Sequence, residues 1–169
     1  KAILGLLNRD FKISGSATFE GNDLLQMGDG ELRTLRGSAI GMILQNPMTC
    51  FDPLYKIGNQ IYETFDAHGI FPRDQYKEEA IKILEKMRIH DPEGVLQKFP
   101  HQLSGGMLQR VMIGIAMSMN PRLLICDEPT TAIDSITQYE IIKEFQRIKA
   151  ESNVGMLFIT HDVSVISHI

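Results

Sequence analysis

Residues 123–130 read LLICDEPT: an apolar run that meets two adjacent carboxylates, Asp127 and Glu128, and then a proline. A short run of this kind predicts a strand buried on both faces. Ending a buried strand in two acids is costly unless a charge sits beside them. A magnesium ion carrying a nucleotide meets that need, one acid holding the metal and the other activating a water. Two further apolar runs also end in polar groups. AIGMILQNP runs out at Gln45 and Asn46, and GMLFITHD at His161 and Asp162. In open α/β sheets ligands collect at the carboxyl ends of the strands, so the three ends together predict a site for a metal-bound anion.

LSGGMLQR, residues 103–110, adds a fourth part. Ser104 precedes Gly105 and Gly106, and a helical pattern follows at once. Amide groups at a helix start, approached closely because glycine lacks a side chain, make a phosphate-binding corner. Taken alone, the same residues fit a serine-capped helix start equally well.

These residues need elements to hold them. KAILGLL predicts the tail of a buried helix, ISGSATFEGNDLL a strand and turn, and ELRTLRG a short helix stopped by Gly37. AIGMILQNP and GMLFITHD predict buried strands. DQYKEEAIKILEKMRI predicts a helix capped by Asp74, with Glu78 and Glu79 early and Asp91-Pro92 as its stop. SGGMLQRVMIGIAMSMNP carries a wide apolar stripe through Met107, Leu108, Val111, Met112, Ile115, Ala116 and Met119, closed by Asn120 and Pro121. SITQYEIIKEFQRIKAE predicts an amphipathic helix on Ile142, Phe145 and Ile148. Strands alternating with helices predict an α/β fold with a mostly parallel sheet.

Composition narrows the function classes. The 169 residues are 43% hydrophobic and 22% charged, ordinary values for a globular chain. A net charge of −4 offers no basic footprint for nucleic acid. The near-apolar run VMIGIAMSM, nine residues, is too short to span a bilayer. Cys50 in a loop-like stretch and Cys126 inside a strand read as reduced structural thiols of a cytosolic protein. The opening KAILGLL shows no leader pattern, and both ends read as cut from a larger protein.

In the order LQNP, LSGGMLQR, LLICDEPT, TAID and ITHD, the chain resembles the ATPase subunits of ABC transporters, from about Ser14 to His161. Within that family QNPMTCFDPLYKIGNQI and FPHQLSGGMLQRVMI resemble the peptide and nickel importer branch. Met107 stands where most members have glutamine, and the GGMLQR form leans toward the nickel-type members. The resemblance implies a P-loop NTPase-type sheet flanked by helices, with an inserted helical subdomain and both ends incomplete. Residues 1–45 would be a partial nucleotide-binding core, 46–105 the helical subdomain, and 106–169 the remainder of the core.

The resemblance also implies roles. Asp127 would hold magnesium, with Gln45 reaching the same ion, and Glu128 would polarise the water that attacks the terminal phosphate of ATP. His161 would contact that phosphate and orient the water. Ser104, Gly105 and Gly106 would bind an ATP held by the opposite subunit, and Asp134 would lie between two subunits paired head to tail. The implied partners are membrane permease subunits, a second ATPase subunit and, indirectly, an extracytoplasmic solute-binding protein. The implied location is the cytoplasmic face of the membrane.

One part is absent from these residues. The phosphate cradle of such enzymes has the pattern G-x-x-x-x-G-K-[ST], and no Gly-Lys dipeptide occurs in the chain. The expectation is that the loop lies upstream of Lys1 and that this chain alone binds ATP weakly or not at all. Its lack of an edge strand is expected to leave apolar surface and unpaired backbone exposed. A rival reading, a non-transport ATPase of the same family acting on nucleic acid or ribosomes, predicts long coiled coils or basic linkers. Gln45 and Leu103 are 58 positions apart with no sustained heptads, which argues against it.

Overall fold

A computed structural model describes residues 2–7, 10–131, 133–162 and 165. A two-residue-per-strand hairpin, β1 (Thr18–Phe19) and β2 (Asn22–Asp23), precedes the helix α1 (Asp29–Leu35). The strand β3 (Ile40–Ile43) leads into a helical region made of α2 (Ile57–His68), α3 (Tyr76–Lys86) and α4 (Pro92–Gln97). Then come α5 (Gly105–Ser118), β4 (Leu123–Asp127), α6 (Ser135–Glu151) and β5 (Gly155–Ile159). The three later strands form a parallel sheet in the order β3-β4-β5, with Ile40 opposite Leu123 and Leu123 opposite Gly155. The sheet is the α/β arrangement that the alternating elements predict, and it puts the carboxyl ends of all three strands along one edge.

Strand alternation splits the core in two. Ile43, Leu124 and Cys126 join the main cluster with Ile57, Ile61, Phe65, Leu84, Leu108, Ile113, Ile141 and Phe145 from the helices. Ile40 and Ile125 point the other way and pack with Leu4, Leu24 and Leu32. Cys126 is fully buried, as a central parallel strand requires. Close helix contact in the helical region depends on Gly58, where a Cβ would sit 2.8 Å from the Leu96 carbonyl oxygen.

Four sequence expectations need correction. The KAILGLL segment is a single 3-10 turn over Ala2–Leu4, ended by Gly5 at φ +63°, with Leu6 exposed. Asp74 does not cap α3: it lies in a 3-10 turn over Arg73–Gln75, and Gln75 occupies the cap position without a side-chain hydrogen bond. That helix stops before Asp91-Pro92, at Met87, because Arg88 takes φ +54° and Ile89 N–H bonds back to the Leu84 carbonyl. Asp91 instead starts α4, accepting from Gly94 N–H at 3.1 Å. Finally, β5 is buried on one face only. Met156 and Phe158 pack on the main cluster, while Leu157 and Ile159 are 42% and 45% exposed. Its outer edge has no strand partner among the described residues, so the expected apolar exposure is found here.

Candidate active site

Glu128 follows β4 directly and takes φ +48°, a conformation that costs energy outside glycine. Its N–H bonds the Ile159 carbonyl at 2.8 Å, which anchors the turn to the neighbouring strand. The carboxylate then meets three donors. Gln45 Nε2 lies 2.8 Å from Oε2, Thr131 Oγ1 lies 3.0 Å from the same oxygen, and His161 Nδ1 lies 3.0 Å from Oε1. Gln45 stands just past β3 and His161 just past β5, so parallel pairing of three strands brings together residues 83 and 33 positions from Glu128. Hydrogen bonds from His161 first, and then from Thr131, hold the Glu128 carboxyl below its ordinary range. These donors favour the ionised form, which a glutamate already takes at neutral pH and which a base needs.

Asp127, the last residue of β4, is half-buried, and its carboxylate has no hydrogen-bond or ion-pair partner among the described residues. A carboxylate without a protein partner is a hard oxygen ligand of the kind magnesium takes. No cluster of three or more metal-ligating His, Cys, Asp or Glu side chains occurs among the described residues.

Ser104 caps α5, its Oγ accepting from Met107 N–H at 3.2 Å, so its hydroxyl hydrogen stays available to a ligand. Gly105 faces open space, whereas a Cβ on Gly106 would lie 2.1 Å from Thr137 Cγ2. Gly106 is thus required by helix packing against α6, apart from any ligand. Asp134 caps α6, accepting from Ile136 N–H at 3.1 Å and Thr137 N–H at 3.0 Å. A 2.6 Å ion pair between Arg110 and Glu140 adds a second tie between these helices. Among the described residues no hydrogen bond joins Ser104, Gly105 or Asp134 to the Glu128 cluster.

Sequence reasoning missed Thr131, which touches Glu128, and Gln138, whose Nε2 reaches Asp162 Oδ2 at 3.1 Å beside His161. A hydroxyl three residues past the acid was the available signal for Thr131. For a glutamine in mid-helix there was none.

Hydrogen bonds from Thr137, side chain first, keep the Asp134 carboxyl below its ordinary value. A depressed carboxyl stabilises the fold above its unfolded pKa and loses that effect as pH falls through the folded one. Asp134→Ala is therefore expected to lower the urea midpoint at neutral pH, with the gap to the parent closing below about pH 4. A gap that stays constant with pH would show that the cap acts without its charge.

The comparisons agree with this architecture. A family model described as ABC transporter matches residues 1–131. The oligopeptide transport ATP-binding protein OppD of Lactococcus lactis subsp. cremoris is 41% identical over 169 residues, covering 99% of this chain and 50% of its own length. The metal-staphylopine import system ATP-binding protein CntD of Staphylococcus aureus is 37% identical, covering 100% of this chain and 62% of its own length. The chain thus spans about half to three-fifths of the curated relatives it matches. Among solved structures, a dimeric post-hydrolysis state of the ATP-binding cassette MJ0796 bound to ADP and Pi superposes with a TM-score of 0.77 at 25% identity, covering 92% of this chain and 66% of that one. The structure of cbiO1 from Clostridium perfringens, part of the ABC transporter complex cbiONQ, gives 0.72, again at 25% identity, covering 97% of this chain and 61% of that one. With motifs, strand order and family match in agreement, the chain belongs to the ABC transporter family and resembles its ATP-binding subunits.

Proposed function

We propose that this chain is the greater part of the ATP-hydrolysing domain of an importer, coupling hydrolysis to uptake of peptide, nickel or a metal complex through a membrane permease. The observation that carries this reading is the Glu128 carboxylate, ionised and gripped by Gln45, Thr131 and His161 at the strand ends. Phosphoryl transfer asks the protein mainly for positioning and charge stabilisation. Asp127 and the Gln45 amide oxygen would hold magnesium, which when bound neutralises charge on the phosphates and orients them. Glu128 takes the proton of the attacking water, and His161 orients that water and meets the terminal phosphate. Ser104 and the amides of Gly105 and Gly106 receive the phosphates of an ATP held by a second ATPase subunit, paired head to tail. Asp134 lies between the two subunits, and we take the second subunit to be a different ATPase.

The permease reading draws on the segment after Gln45. Met48, Leu54 and Tyr55 are exposed there, and a cavity of about 430 Å³ opens between β3, α2 and α5, lined by Cys50, Phe51, Glu63, Thr64, His68 and Met112 among others. At the start of the helical subdomain (46–105), where it joins the core (1–45 and 106–169), this segment would pass the state of the site to a permease at the cytoplasmic membrane face. No described helix is long and apolar enough to cross a membrane itself. An extracytoplasmic solute-binding protein would act only through that permease.

A phosphate loop carried outside these residues has a direct test. Magnesium-ATP is titrated calorimetrically into this chain and into a version extended upstream through a G-x-x-x-x-G-K-[ST] loop. Binding confined to the longer version supports the reading. Tight binding by the 169 residues alone would give the phosphates another home and overturn the site assignment.

A further inference from the structure

The three donors to Glu128 are not equivalent. Gln45 is exposed, and the His161 side chain is 72% exposed; both come from other strands. The proposed function, on which this inference rests, gives both of them to the metal and the phosphate. Once they turn to the nucleotide, the carboxylate keeps one contact. Thr131 Oγ1 lies 3.0 Å from Oε2, and the Thr131 N–H bonds back to the Glu128 carbonyl at 3.2 Å. The hydroxyl and the acid therefore sit on one closed turn and move together. Threonine is stiff at χ1, so its hydroxyl is held in few positions. The neighbouring Thr130 is engaged differently, facing Gln138 Nε2 at 3.5 Å and 7% exposed.

We infer that Thr131 is the positioning residue for Glu128, holding its carboxylate in one orientation while Gln45 and His161 engage the nucleotide. Its hydroxyl meets the Glu128 oxygen, and it acts through that carboxylate. A glutamate side chain has three rotatable bonds, and a single charge-assisted hydrogen bond from a rigid turn restricts them most when the other donors leave.

Two measurements test this. The first uses the chain as it stands, with Gln45→Ala and His161→Ala removing the two departing donors. Three-bond NMR couplings of labelled Glu128 should report one side-chain conformation in that background. Adding Thr131→Val should average them over several, and adding Thr131→Ser should not. Equal ordering with valine and serine would overturn the inference. The second uses the complete ATP-hydrolysing protein. Thr131→Val should lower kcat about tenfold, the worth of a hydrogen bond to a charged group, with KM for magnesium-ATP held within about twofold. Thr131→Ser should restore kcat. On a Glu128→Gln background the valine should cost nothing further, because the base that Thr131 positions is gone. A similar loss in both backgrounds would make Thr131 merely structural and overturn the inference. If the unsubstituted protein hydrolyses no ATP, the proposed function fails, while the NMR couplings still decide the role of Thr131.

Discussion

Glu128→Gln in the complete protein is expected to reduce ATP hydrolysis by about 10²- to 10⁴-fold, the usual worth of a positioned base. The reason is local. Hydrogen bonds from His161 and Thr131 favour the ionised carboxylate, and its direction is set by a turn at φ +48° that is tied to Ile159. Glutamine keeps the shape and an acceptor oxygen for Thr131 but cannot take a proton from water. Thr131 and Gln45 share that oxygen, so the new amide NH2 would take the Oε1 place and face His161 Nδ1. Affinity for magnesium-ATP should stay within a few-fold, since Asp127 and the helix-start residues are untouched. Phosphate release measured beside nucleotide binding separates the two effects. Hydrolysis within about threefold of the parent would assign the base elsewhere.

The second large effect concerns the scaffold. Phe145 is fully buried on α6 and meets Phe158 of β5 edge to face, with ring centroids 5.1 Å apart. This contact joins the last strand to the main core, and so fixes where His161 emerges. Phe145→Ala should cost about 3–5 kcal/mol, transfer and cavity terms together, out of a total of about 5–15 for a domain of this size. Urea unfolding measures it directly, and Phe145→Leu should lose distinctly less. A loss under about 1 kcal/mol would mean that the site collapses around the gap. At 37 °C the alanine protein should also lose order at the carboxyl end of β5 before it unfolds globally.

How much of this could be read beforehand differs by element. The central strand was clear because LLICD is apolar, short and ended by charge, and α5 was clear because its stripe repeats over 14 residues. The edge strand was not. GMLFI looks the same whether one face or both are covered, since an unbroken apolar run carries no alternation to betray an exposed side. Asp74 looked like a cap because its residue type and place were right, yet the 3-10 turn after Pro72 shifted the helix start past it. The α5 stripe also concealed Gln109, a fully buried side chain whose polar atoms have no partner among the described residues. In the site, acids and a histidine at strand ends announce themselves by type and cost. Thr131 and Gln138 do not, because a hydroxyl in a turn and an amide on a helix are ordinary until folding sets them near Glu128 and Asp162.

The placing of the two cysteines gives this chain a built-in clock. Cys50 is exposed in the segment after Gln45, while Cys126 sits at the centre of the sheet, fully buried, with its thiol pushed up by the loss of water. A small alkylating reagent would therefore consume the first thiol from the native state and reach the second only when β4 parts from its neighbours. With Cys50 blocked beforehand, the slow labelling of Cys126 times that parting in undenatured solution. Any ligand that binds at the carboxyl end of the same strand should slow it in proportion to its occupancy.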